Sequence, residues 1–354
     1  MAVKSGSEKA ARLRSKIASL RYGRGSQSAK IIVVTGAHGK STVVKLIAEV
    51  LREGGLKVVE MVAASDAEHS FETDPFLLHR RVVDASRQGY DYVILEVHAA
   101  LVKSHAIPTL TIDTLVATGD SPELAAFSDM SVRRAVLPCG LQPPIGVEHH
   151  NMMTYGTHDD ADMKIVARQL YRKGTELSLV IDQHTELEVA SYLVGEANAI
   201  NIATALATAY VIGVDIAKFA EGLARVERVM GNYDYLATGA PYAVAVDRGG
   251  TLEALPTLLE SARQLAKRRL IVALDMPLTT EELARLYKHT DRLIAVADTT
   301  PVEVDQAADH EEAAFVAVRG AKRDDLVLLV GPRYAVYNEQ GRPVIEGTIG
   351  VWHE

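Results

Sequence analysis

The feature that most constrains this chain is a β-branched run, Lys30–Thr35 (KIIVVT), that stops at Gly36 and gives way after three residues to an amphipathic stretch. The periodicity predicts a strand over 30–35, a loop at Ala37, His38 and Gly39, and a helix over 40–52. Glycines there let the backbone wrap so that several N–H groups face phosphate oxygens, and a helix N-terminus adds about half a positive charge. The loop reads Gly36-Ala37-His38-Gly39-Lys40-Ser41-Thr42. Lys40 is placed to reach the β- and γ-phosphates and Ser41 to offer its hydroxyl to Mg²⁺, while Thr42 caps the helix or contacts the α-phosphate. Gly36, His38 and Gly39 complete the expected nucleotide-binding set. The strict phosphate-loop pattern asks for glycine where Val34 stands. A glycine turn with a surface lysine is the alternative, and the order strand, turn, helix favours phosphate.

Strand and helix keep alternating downstream. The patterns predict a strand at 57–63, a helix at 74–88 and a nearly continuous apolar strand at 90–97, as in a parallel sheet buried on both faces. A further strand is expected at 114–118, and 142–155 reads as an irregular loop. Residues 176–182 and 189–193 alternate like an antiparallel pair, a small β insertion, before an Ala-rich helix at 198–212 and a helical run at 216–229. From Tyr242 the pattern restarts, with strands at 242–246, 270–274, 293–297 and 326–330 and helices at 252–267 and 280–288. The chain therefore reads as α/β: a phosphate-loop domain with a mostly parallel sheet over 30–230, then a Rossmann-like α/β domain over 231–354. Residues 1–29 read as a basic helix and linker, a solvated face or flexible leader being the plain interpretation, with the inter-domain hinge near Gly231.

Two carboxylates fall at the edge where such sheets bind ligands. Glu96 closes the strand at 90–97 and can hold Mg²⁺ directly or through water, unless it is only a solvated strand-end acid. Asp120 follows the strand at 114–118 and is a second metal-side or nucleotide-side candidate.

Composition narrows the classes. A chain of 354 residues exceeds what one core usually organises, so two domains are expected. A net charge of −8 supplies no overall basic field for nucleic acid. One cysteine, Cys139, allows neither an internal disulfide nor a cysteine-rich zinc site, which suits the reducing cytoplasm. No apolar run approaches the roughly 20 residues that span a bilayer.

Several ordered motifs resemble the Mur ligase family of ATP-dependent amide ligases. Residues 34–42 are similar to its T-G-T-N-G-K-T/S-T loop, Thr73-Asp74-Pro75 to T-T-P, and Leu95-Glu96-Val97 with Leu101 to L-E-V-S-S-x-x-L. Thr154-Tyr155-Gly156 with Ala161-Asp162, and Gly195, Asn198, Asn201 and Ala205, continue the series. Val246-Asp247-Arg248-Gly249-Gly250-Thr251 resembles D-Y-A-H-T/N-P, and residues 325–331 resemble D-x-V-L-x-x-G. The layout is nearest the synthetase that adds the third peptide residue, without its UDP-sugar-binding domain. The resemblance implies ATP and Mg²⁺ as cofactors, Lys40, Glu96 and Asp120 in catalysis, Ser41 and Glu96 on the metal, Asn198 at the adenine and Asp247 toward the ribose. It implies small-molecule carboxylate and amine substrates joined through an acyl phosphate.

The departures are specific. Asp120-Ser121 stands for the family's D-H, with His149 and His150 as possible replacements for the lost histidine. Arg134 falls on or near the carbamylated lysine of the second Mg²⁺ site and would repel a cation. Gly231-Asn232 stands for Gly-Arg, Gly250 for the histidine of D-Y-A-H, and no D-N-P-R motif is present. The competing expectation is a non-catalytic nucleotide-binding or regulatory protein on the same scaffold.

Overall fold

Strands that are apolar at every position must be covered on both faces, and the first part of the chain meets that demand with one large sheet. The computed structural model describes residues 2–23, 28–62, 74–142, 151–171, 173–227, 229, 233–236, 240–248, 252, 255–276, 278–296, 304–331 and 333–334. By contacts the chain forms two units. One comprises Met1–Arg168, Glu176–Ser191 and Ala199–Val226, the other Gln169–Thr175, Tyr192–Asn198 and the chain from Glu227.

The first sheet uses β1 (Lys30–Thr35), β2 (Val58–Met61), β3 (Tyr92–Glu96), β4 (Ile112–Ala117), β5 (Arg134–Pro138), β6 (Met152–Gly156), β7 (Met163–Tyr171), β8 (Gly174–Ile181) and β9 (Thr185–Ser191). Their order is β2-β3-β1-β4-β5-β6-β7-β8-β9, with parallel pairing from β2 through β7. The turns joining β7 to β8 and β8 to β9 are too short for a crossover, so those strands run antiparallel. Ile31 and Val33 of β1 pack into a cluster with Val93 and Leu95 of β3, Phe127, and Leu78 and Val82 of α3 (Pro75–Arg87). The other face is covered by α2 (Lys40–Glu53), which contacts β1, β2 and β3 and buries Val43, Val44, Leu46 and Ile47.

The N-terminal segment is a docked helix rather than a leader. α1 (Ala2–Tyr22) packs against α3, with Ala18 fully buried, Ser15 Oγ donating to the Ser104 carbonyl at 2.7 Å and Arg14 paired with Asp74. Small residues on its inner side allow the close approach.

Other sequence expectations change here. The segment read as a loop over 142–155 contains β6, whose two inward residues, Met153 and Tyr155, are too short a pattern to recognise alone. β5 and β7 were also unread; the outer half of β7 is largely exposed and carries no alternation. The run at 216–229 is not one helix: a 3-10 turn at Ile216–Lys218, capped by Asp215, precedes α6 (Phe219–Ala224). After α4 (Ala99–Lys103), the Ala-rich helix is α5 (Glu196–Ile212).

The second sheet contains β10 (Asp234–Leu236), β11 (Ala243–Asp247), β12 (Leu270–Leu274), β13 (Arg292–Val296), β14 (Asp305–Ala307) and β15 (Leu326–Val330). Its order is β10-β11-β15-β12-β13-β14, parallel except for β10 against β11. Leu326, Leu328 and Val330 of β15 meet α7 (Leu255–Leu265) and α8 (Thr280–Tyr287) on one face. Val327 and Leu329 meet α9 (His310–Arg319) on the other. The expected second α/β arrangement is therefore present, with β10, β14 and α9 added to what the sequence pattern had suggested. Among the described residues no helix is long and apolar enough to cross a membrane.

Candidate nucleotide site

Three neighbouring strands end together. β1 lies between β3 and β4, with Val34 level with Glu96 and Thr35 level with Ala117. The phosphate loop, Glu96 and the residues after β4 are thereby brought to one carboxyl edge, where open α/β sheets bind ligands.

Two glycines give the loop its shape. Gly36 has φ +132°, and a Cβ on it would lie 2.4 Å from Thr118 Oγ1 and 2.8 Å from Thr118 N. Gly39 has φ +74°, and a Cβ there would lie 2.1 Å from Asn201 Oδ1. Neither position admits a side chain without displacing its neighbour. The Gly39 carbonyl starts α2 by accepting from Val43 N at 2.9 Å, so the first turn of the helix begins directly at the loop. Thr118 holds the loop from the side: its N–H donates to the Thr35 carbonyl, and its hydroxyl lies against the carbonyls of Thr35 and His38, donating to the nearer, His38. Tyr155, buried on β6, donates its phenol to the Ala117 carbonyl at 2.7 Å and braces the same strand end. Burial pushes that phenol's pKa well up, so it stays a donor.

The chemical groups sit inside this frame. Lys40 Nζ donates to the Gly36 carbonyl at 2.8 Å, which folds the ammonium over the loop. Ser41 Oγ donates to Glu96 Oε1 at 2.8 Å. Thr42 is buried in the first turn of α2. Glu96 is only 1% exposed, and its Oε2 has no hydrogen-bond partner among the described residues. A buried carboxylate oxygen needs a compensating partner. A Mg²⁺ ion fits the oxygens of Ser41 and Glu96, since that ion typically takes one or two carboxylates and completes its shell with water and phosphate.

Not every expected residue joins this group. Asp120 is exposed and makes no hydrogen bond or ion pair among the described residues. It lies beyond the ordered end of β4, and the expectation that it works beside Glu96 has no contact to support it. Asn198 and Asp247 lie in the second unit. Asn198 is buried, with Nδ2 donating to the Val194 carbonyl at 2.7 Å. Asp247 ends β11, buried, and Oδ2 accepts from Tyr233 N at 3.2 Å. Thr73, His149, His150, Gly231, Asn232 and residues 249–251 fall outside the described residues.

Three contributors were missed by sequence reasoning. Thr118 gave no signal beyond ending an expected strand. Asn201 belonged to a quoted motif without a role, and it packs on Gly39. His98 was hidden in the segment after Glu96, and its Nε2 lies 3.0 Å from Glu96 Oε1. Arg134 has a structural explanation: it pairs with Asp113 at 2.6 Å, both side chains largely buried.

A glycine loop between strand and helix, with a hydroxyl and a buried carboxylate at the adjacent strand end, defines a phosphate-loop nucleotide-binding α/β protein. Residues 34–118 match the family model of the Mur ligase middle domain. The chain is thus similar to Mur ligases, with that segment matching their middle domain. It is 23% identical over 383 residues to the UDP-N-acetylmuramoyl-L-alanyl-D-glutamate–2,6-diaminopimelate ligase of Halalkalibacterium halodurans, covering 93% of this chain and 78% of that one. Its fold is similar to the MurF ligase of Thermotoga maritima solved with ADP, with a TM-score of 0.71 at 16% identity, covering 91% of this chain and 80% of the other. It is also similar to the folylpolyglutamate synthetase of Lactobacillus casei, with a TM-score of 0.66 at 15% identity, covering 90% and 92%.

Proposed function

We propose that this protein is an ATP-dependent ligase joining a small-molecule carboxylate to an amine through an acyl phosphate. The observation that carries the reading is the buried Glu96, bonded to Ser41 Oγ and with its second oxygen unpartnered among the described residues, beside the phosphate loop. A structural acid would be solvated or fully paired.

In the first step a carboxylate oxygen of the substrate attacks the γ-phosphorus while the bond to the β–γ bridging oxygen breaks and ADP leaves. Lys40 and the N–H groups of the loop bind the phosphate oxygens and hold them in line. Ser41 and Glu96 would hold Mg²⁺, which would supply neutralisation of the phosphate charge. In the second step the amine nitrogen attacks the acyl carbon and loses a proton as the carbon–oxygen bond to phosphate breaks. Asn198 is assigned to the adenine and Asp247 to the ribose side, an assignment that rests on family resemblance. A reducing, ATP-containing compartment, the cytoplasm, suits this chemistry and the single cysteine.

The test is ADP release with candidate carboxylates and amines. Release that needs both acceptors and is lost in Lys40→Ala supports the ligase; tight nucleotide binding with no acceptor-dependent turnover overturns it. The second reading, a nucleotide-binding protein without ligase activity, is favoured by one observation: Arg134, at the register of the carbamylated lysine, is engaged by Asp113 and leaves no site for a second cation there.

A further inference from the structure

The residues after Glu96 place a nitrogen donor where the loop and strand supply only oxygens. Val97 continues the ladder past β3, donating to the Val34 carbonyl at 2.8 Å, and is fully buried. The backbone is still extended at His98, with φ −118° and ψ 165°. In extended chain, residues two apart project to the same side, so the imidazole returns to the side of the Glu96 carboxylate. His98 occupies the N-cap position of α4 but makes no side-chain cap bond. Its ring instead turns inward, with Nε2 3.0 Å from Glu96 Oε1, the oxygen that also accepts from Ser41 Oγ. The side chain is one-third exposed, with Nε2 itself buried against the carboxylate. Ser41 Oγ, the Glu96 carboxylate and His98 Nε2 thus converge from three backbone positions held by one sheet edge.

We propose that His98 ligates the divalent cation of the nucleotide site through Nε2, making the protein's share of the coordination shell one hydroxyl, one carboxylate and one imidazole. This rests on the reading of the phosphate loop as a Mg²⁺-nucleotide site. The consequence is selectivity. Mg²⁺ prefers oxygen, whereas imidazole suits first-row transition ions, and affinities at mixed nitrogen–oxygen sites rise from Mn²⁺ toward Co²⁺. The wild-type protein therefore favours Mn²⁺ and Co²⁺ over Mg²⁺ by more than an all-oxygen site does, and His98→Ser narrows that preference. Loss of one ligand lowers Mn²⁺ affinity by about tenfold or more, with a smaller change for Mg²⁺.

The experiment is electron spin-echo modulation of Mn²⁺ bound to the full chain with ADP, with calorimetric titration of ADP in Mg²⁺ and in Mn²⁺ alongside. Direct coordination by imidazole gives ¹⁴N modulation. The expected result is modulation in the wild type, its loss in His98→Ser, and its persistence in His158→Ser, an exposed histidine outside the site. His98→Asn, which is close in shape, guards against misfolding: it retains ADP binding and the thermal transition while the imidazole signal disappears. Bound Mn²⁺-ADP without ¹⁴N modulation, or modulation that survives His98→Ser and His98→Asn, overturns the proposal and leaves the nucleotide site standing. Failure of ADP to bind with either cation overturns both.

Discussion

Gly39 answers two demands at once, a left-handed backbone and an absent side chain, and only the second involves a partner that can be moved. With φ +74° and Asn201 Oδ1 2.1 Å from where a Cβ would lie, Gly39→Ala should cost about 1–3 kcal/mol of stability. Asn201→Ala removes the obstruction but not the backbone strain. Gly39→Ala and Asn201→Ala together should therefore destabilise by less than the sum of the single changes, measured by urea unfolding as a double-mutant cycle. Strict additivity would mean that the loop shifts rather than Asn201. At the same scale, Lys40→Ala should weaken ADP binding about a hundredfold, as expected for loss of a charge that meets phosphate in a shielded site, while leaving the thermal transition nearly unchanged. The residues proposed for this chemistry, Lys40, Ser41 and Glu96, could be picked out as a group because each is defined by its position after a strand, and the structure brings Ser41 and Glu96 into contact. Thr118, Asn201 and His98 were not, since each acts through a contact made by chain that is distant in sequence or by a local reversal of a side chain. Asp120 stands at the expected strand edge but makes no contact with the others among the described residues, since position at an edge does not by itself bring side chains together.

Among the elements, α2 and α6 pack closely enough that glycine is required between them. A Cβ on Gly222 would lie 2.6 Å from Val50 Cα, a backbone atom in mid-helix that cannot turn aside. Gly222→Ala should push α6 off α2 and cost about 1–3 kcal/mol by thermal or urea unfolding; a change within 0.5 kcal/mol would show that the helices slide freely. α8 begins with a full capping box, in which Thr279 Oγ1 accepts from Glu282 N and the Glu282 carboxylate accepts from Thr279 N. The 3.6-residue period of α7 and the unbroken apolar run of β15 are local and were readable. β5, β6 and β10 were not, because each is three to five residues long and takes its hydrogen bonds from strands elsewhere in the chain. Their existence depends on pairing rather than on propensity.

For the molecule as a whole, one ion pair sets part of the acid limit. Asp325 is fully buried at the entrance to β15, and accepts from the Arg269 guanidinium at 2.6 Å and from Lys322 N at 2.7 Å. Burial raises its pKa, but the Arg269 side chain and the backbone donors outweigh that and hold it below the usual carboxylate value. A carboxyl depressed in the folded state stabilises above its unfolded pKa, about 3.9, and that stabilisation is lost as pH falls through the folded value. Asp325→Asn should therefore cost on the order of 3 kcal/mol at pH 7, and the gap from wild type should begin to narrow only below about pH 4. A gap independent of pH would assign the loss to packing. The two-unit α/β plan was legible from alternating strands and helices, but the assignment of residues 169–175 and 192–198 to the second unit was not, since it depends on where a hairpin tip and a helix start come to rest.

The clamp that Thr118 places on the phosphate loop has a thermodynamic consequence. Its bonds to the Thr35 and His38 carbonyls fix loop torsions in the folded chain, so the entropy of ordering the loop belongs to folding rather than to nucleotide association. Removing the hydroxyl returns that freedom to the protein before ADP arrives. Thr118→Ala should then bind ADP more weakly through a less favourable entropy, with the binding enthalpy little changed, a distinction that calorimetry reads directly.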